Sequence, residues 1–200
     1  AFARPYLAQS AAALTAPATI VLVDTSVSMS APGQFERAKE RATAVIRCPN
    51  FSLISRIMAL VALGRLRVRR GDPGVAAVLD EALALASQTN TLQRLAPVRA
   101  ARAEAAWFAG DMQRVREEAT AAYELAARHR HRWHVGEFAF WRKRAGEEIV
   151  APEWCAEPFA LQIKGDWKSA AQAWRALDCP YEEARALAEG DETSRLKALE

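Results

Sequence analysis

Three histidines fall within one short stretch, Arg128-His129-Arg130-His131-Arg132-Trp133-His134, and clustered imidazoles are the usual makings of a metal site or a general base. On a helix only His131 and His134 share a face, and the interleaved arginines oppose a dication. The expectation is a solvated helix end whose cations complement the carbonyl dipole. Cys155 and Cys179 are the thiols a nucleophilic mechanism would use, but nothing in the sequence places a histidine beside either. A buried thiol without a base is inert. Glu117-Glu118, Glu147-Glu148 and Glu182-Glu183 are adjacent pairs; on a helix their side chains project about 100° apart and form no acid–base dyad. No Gly-x-x-x-x-Gly-Lys-Ser/Thr occurs, so the phosphate cradle of a P-loop is missing. The expectation is a protein that is not an enzyme.

Charge and composition narrow the partners. The 200 residues are 51% hydrophobic and 26% charged, with a net charge of +3, a balance that supports a folded core rather than disorder. Residues 1–146 carry 21 Lys/Arg against 12 Asp/Glu, and residues 147–200 carry 6 against 12. The basic excess is gathered in Arg65, Arg67, Arg69 and Arg70, in Arg128, Arg130 and Arg132, and in Arg142, Lys143 and Arg144. Each cluster closes a helical pattern, so helix-end cations are expected and nucleic-acid binding is not. The apolar runs Ile20 to Val23 and Ile57 to Leu63 fall far short of a bilayer span, and no membrane partner is expected. Three widely spaced cysteines, Cys48, Cys155 and Cys179, fit neither a disulfide framework nor a zinc site, which points to a reducing cytoplasm. The start at Ala1 and the end at Glu200 within a helical pattern suggest a segment of something longer.

The elements divide near residue 47. Ile20-Val21-Leu22-Val23 is a short β-branched run ending at Asp24, the pattern of a buried strand. A turn-rich stretch to Gly33 follows, and then Phe35, Ala38, Ala42 and Val45 recur at helical spacing. From Cys48 onward the patterns are helical. Ser55 is a candidate cap for a helix ending at Gly71, and Asp72-Pro73 a candidate N-cap with proline in the first turn. Gly110-Asp111, Gly165-Asp166 and Gly190-Asp191 repeat the Gly71-Asp72 punctuation at intervals of 39, 55 and 25 residues. Such irregular hairpins bury their stripes only against neighbours, so a mainly α fold, an α-solenoid, is expected. Ala100, Ala101, Ala103, Ala105 and Ala106 in one helix and Ala119, Ala122 and Ala126 in the next allow close approach. The tryptophans are expected to fill gaps between hairpins, with Trp167, Ala170, Ala171, Trp174 and Leu177 forming one stripe.

Two resemblances follow from these residues. Residues 48–200 resemble the tetratricopeptide-like helical region of large bacterial LuxR-type ATP-dependent regulators. The likeness is carried by Leu60-Val61-Ala62-Leu63-Gly64-Arg65, Arg69-Arg70-Gly71-Asp72-Pro73-Gly74, Leu79-Asp80-Glu81-Ala82-Leu83-Ala84-Leu85-Ala86, Arg99-Ala100-Ala101-Arg102-Ala103-Glu104-Ala105-Ala106-Trp107, Gly165-Asp166-Trp167 and Ala188-Glu189-Gly190-Asp191-Glu192. Such regions lie between an ATPase and a helix-turn-helix and are thought to sense ligands or proteins; this chain carries neither flanking module. Residues 20–46 resemble the first strand, loop and helix of a von Willebrand factor A domain. That resemblance implies a metal-ion-dependent adhesion site containing Asp24, Ser26 and Ser28, whose carboxylate and hydroxyls are hard oxygen ligands suited to Mg²⁺. No later strand–loop pattern supplies the further Thr and Asp ligands of that family. Millimolar Mg²⁺ is therefore expected to leave the melting temperature unchanged; a rise of several degrees that disappears in Asp24→Ala would contradict this.

The sequence thus predicts a von Willebrand factor A-like fragment over 1–47 and a tetratricopeptide-like repeat region over 48–200. The expected function is a non-catalytic segment of a bacterial signalling or transcriptional regulator, without cofactor, that binds a protein partner or a small-molecule effector. The alternative is a Mg²⁺-dependent adhesion protein of the von Willebrand factor A type.

Overall fold

The computed structural model describes residues 33–48 and 51–199. Among them are ten helices and no strand: α1 (Gln34–Arg47), α2 (Leu53–Arg70), α3 (Val75–Thr89), α4 (Leu92–Phe108), α5 (Met112–Arg128), α6 (Arg132–Arg144), α7 (Glu157–Lys164), α8 (Trp167–Ala176), α9 (Pro180–Leu187) and α10 (Glu192–Lys197). The chain is mainly helical, as its periodicity requires. The strand expected at Ile20 to Val23, and the three candidate Mg²⁺ ligands Asp24, Ser26 and Ser28, lie outside the described residues. Among the described residues no helix is long and apolar enough to cross a membrane.

Glycine–aspartate punctuation works at three of its four positions. Asp111, Asp166 and Asp191 each cap the following helix, their carboxylates accepting from the backbone N–H of Arg114, Ser169 and Ser194. Gly110 and Gly165 adopt φ of 76° and 85°, a left-handed conformation that closes the preceding helix without a Cβ penalty. Gly190 is there for another reason: a Cβ on it would stand 2.9 Å from the Trp167 indole. Asp72-Pro73 does not start a helix. α3 begins at Val75 with Gly74 as N-cap, and Asp72 accepts instead from Lys39 Nζ at 2.7 Å, tying the turn to α1. The cap of α2 is Ser52, not Ser55; its Oγ accepts from the Ser55 N–H at 3.1 Å because the helix starts one turn earlier than the apolar stripe suggests.

Each helix packs on the next, and α2 with α4 and α4 with α6 also touch. One core cluster joins Ile57 and Leu60 of α2 to Leu79 and Ala82 of α3 and Ala101 of α4. A second runs from Ala100 and Ala103 through Ala119 and Ala122 to Phe138, Phe159 and Trp174. Of the alanines expected at the α4–α5 contact, Ala100, Ala103, Ala106, Ala119, Ala122 and Ala126 are buried there, whereas Ala101 joins the α2–α3 core and Ala105 is half-buried against it.

Close approach fixes two glycines inside helices. A Cβ on Gly64 would stand 2.8 Å from Leu79 Cγ, and one on Gly136 would stand 2.8 Å from Cys155 Sγ. Gly64→Val is expected to lower stability by about 1–3 kcal/mol, the usual cost of overpacking, measured as a drop in the urea midpoint.

Candidate functional site

The histidines, the Cys155 thiol and the Glu117-Glu118 pair take structural places. His131 caps α6, its Nδ1 accepting from the His134 N–H at 3.3 Å, and the two rings stack at 4.2 Å. Burial, followed by the neighbouring His134, holds the His131 imidazole below its ordinary value. Cys155 is buried, and burial pushes its thiol up. Glu118 is 1% exposed and accepts from Arg99 and Arg102, both at 2.7 Å, while Glu117 faces outward to Arg114. Among the described residues no group of three or more His, Cys, Asp or Glu is arranged to hold a metal.

The basic clusters at the ends of α2 and α6 behave differently from solvated helix ends; in α6 Arg142 pairs with Glu147 and Arg144 with Glu189. Arg65 and Arg69 project from α2 toward α4, α6 and α9. Arg69 Nε donates to Glu104 Oε1 at 2.9 Å, and Arg65 Nη2 lies 3.3 Å from Glu137 Oε1. Tyr181 of α9 donates its hydroxyl to the same Glu104 oxygen at 2.8 Å, and the Arg69 guanidinium lies 3.5 Å from the Tyr181 ring centre. Glu104 is 3% exposed. Burial alone would raise its carboxyl, but Arg69, Arg65 and the Tyr181 hydroxyl more than offset it, and the group stays below the usual carboxylate range. Burial and then the Glu104 charge push the Tyr181 phenol up to about 12. Helix-end charge was legible from sequence; its use inside the stack was not, because Glu104 and Tyr181 are 77 residues apart.

Above this polar floor opens a pocket of about 550 Å³ between the ends of α4 and α6 and the faces of α9 and α10. Trp107 and Phe108 form one wall, with ring centres 5.1 Å apart, and Phe140 and Trp141 form the next, 5.2 Å apart. Trp107 and Trp141 close the corner at 6.3 Å. Ala184 and Ala188 of α9 leave the space open opposite, and Arg144, Arg185 and Arg195 stand at its edge. Two walls include residues with buried donors that have no acceptor among the described residues. Trp141 is 3% exposed, and its indole Nε1 is buried without a hydrogen bond. Nε and Nη2 of Arg185 are in the same condition, while its guanidinium lies 4.4 Å from the Phe140 ring centre. Arg144 is engaged, 3.5 Å from Glu189 and 4.6 Å from the Trp107 ring centre.

A smaller space of about 330 Å³ shares Trp107, Phe140 and Arg144 with this pocket and ends at Gln162 and Glu189. The tryptophans therefore divide. Trp174 is core, 4% exposed and hydrogen-bonded from Nε1 to Gln162 Oε1 at 3.0 Å; Trp141 belongs to the same core and also borders the pocket, and Trp107 is half-buried at its wall. The expected stripe on α8 also splits: Trp167 turns to Gly190, Trp174 to Phe159 at 4.9 Å, and Leu177 is 37% exposed at the helix end. Comparison of the chain with protein-family models, curated proteins and solved structures finds no match.

Proposed function

We propose that the chain is a non-catalytic sensing segment of a bacterial signalling or transcriptional regulator. In this reading a tetratricopeptide-like solenoid of hairpins holds a small-molecule effector in the pocket between α4, α6, α9 and α10, in a cytoplasmic setting. The observation that carries it is that pocket, with aromatic walls and with buried N–H groups on Trp141 and Arg185 that have no partner among the described residues. Buried donors are normally satisfied, and concave apolar sites with a few convergent polar groups are the usual form of ligand sites. The packing of each helix on its sequence neighbours supports the repeat reading, since such stacks expose continuous surfaces suited to binding. The ion pairs of Arg65 and Arg69 with Glu104 and Glu137 engage two arginines of one basic cluster within the protein, which supports a reading without a nucleic-acid partner.

A ligand-observed NMR screen of neutral aromatic fragments tests this reading. Ala184→Trp fills the pocket without removing a wall. Fragments should bind the native chain at one mutually competitive site and lose that binding in Ala184→Trp. Equal binding to both proteins, or none to either, would overturn the assignment.

A further inference from the structure

The donors at the pocket are all of one kind, and they specify the chemistry of what it takes. Arg185 is the key group. Among the described residues no carboxylate lies within ion-pair distance of it; Glu137 and Glu189 act on it only at longer range. Its guanidinium packs on Phe140, and two of its N–H-bearing nitrogens are buried without acceptors. Arginine is permanently charged, and a buried donor without an acceptor is costly. Trp141 adds a second buried N–H that can only donate. No buried acceptor without a partner accompanies them among the described residues. The remaining wall, Trp107 and Phe108, is aromatic, and Phe108 is 53% exposed. The volume of about 550 Å³ suits a compact molecule rather than an extended peptide.

We infer that the effector is a small amphipathic anion, a carboxylate on an aromatic or bulky apolar body. Its carboxylate pairs with the Arg185 guanidinium, and its body lies against Trp107 and Phe108. A carboxylate supplies the close counter-charge that Arg185 lacks, and charge-assisted bonds of this kind are stronger than neutral ones. The apolar body covers the exposed ring of Phe108. The inference rests on the pocket being the binding site, and it adds the sign of the ligand's charge.

A matched pair of probes separates the two claims. Calorimetric titration of the whole chain at pH 7.4 with 1-naphthaleneacetate and with 1-naphthaleneacetamide compares an anion with its neutral counterpart. The acid should bind at least tenfold more tightly than the amide. Arg185→Gln should weaken acid binding at least tenfold and amide binding by less, so that the two probes bind alike. If the amide binds as well as the acid to the native chain, the anion inference fails while the pocket stands. If neither probe binds but neutral fragments still compete for the site filled by Ala184→Trp, the inference fails alone. If no fragment binds either, both fail. The comparison on the native chain needs no variant, so it decides the matter even if Arg185→Gln does not fold.

Discussion

Replacing Glu104 with alanine is expected to lower the stability of the chain by about 3–5 kcal/mol, the usual cost of removing one partner from a buried charge cluster. Glu104 accepts from Arg69 and from Tyr181 and lies 3.8 Å from Arg65 Nε. Its removal leaves two cations at the junction of α2, α4 and α9 without their shared counter-charge. Tyr181→Phe should cost less, about 1–3 kcal/mol, because it deletes one hydrogen bond to a charged acceptor. The same cluster sets a pH dependence. The folded Glu104 carboxyl titrates below its unfolded counterpart, so its contribution is complete at neutral pH and is lost as pH falls below about 4.3 toward the folded value. Urea titrations of native chain and Glu104→Ala across pH 3 to 7 check this; the difference between them should shrink on the acid side. A constant difference would show that Glu104 acts by packing alone.

Trp174→Ala is the second large effect, expected at about 3–5 kcal/mol. The indole packs edge-on against Phe159 at 4.9 Å and satisfies the buried Gln162, which is 2% exposed. Truncation therefore opens a cavity and also leaves a polar group without its donor. The loss should be regional. Trp174 belongs to the cluster reaching back to α4, whereas Ile57, Leu60, Leu79 and Ala82 belong to the other. In a chain of neighbour contacts, hydrogen exchange in α2 and α3 should remain slow while α7, α8 and α9 open. Equal loss of protection along the whole chain would contradict the repeat reading.

The contrast between these two sites explains what was legible in the sequence. Local rules located the helices well, because a cap needs only a side chain three residues from the N–H it accepts, as at Asp111, Asp166 and Asp191. They failed at Asp72, where a tertiary partner, Lys39, captured the carboxylate that a local rule assigns to a cap. They failed again at Arg65 and Arg69, whose positions at a helix end say nothing about the glutamate and tyrosine that arrive from α4 and α9. The pocket was hidden for the same reason: Trp107, Trp141 and Arg185 meet only once α4, α6 and α9 are stacked. Aromatic residues near helix ends signalled packing, which holds for Trp174; the donors without acceptors on Trp141 and Arg185 are visible only in three dimensions.

The most direct measurement is hydrogen exchange on the intact chain with and without saturating 1-naphthaleneacetate. The account predicts slower exchange in α6 near Phe140 to Arg144 and in α9 near Tyr181 to Leu187, with α2 and α3 unchanged. Protection confined to α2 and α3, or no change anywhere at saturation, would contradict it.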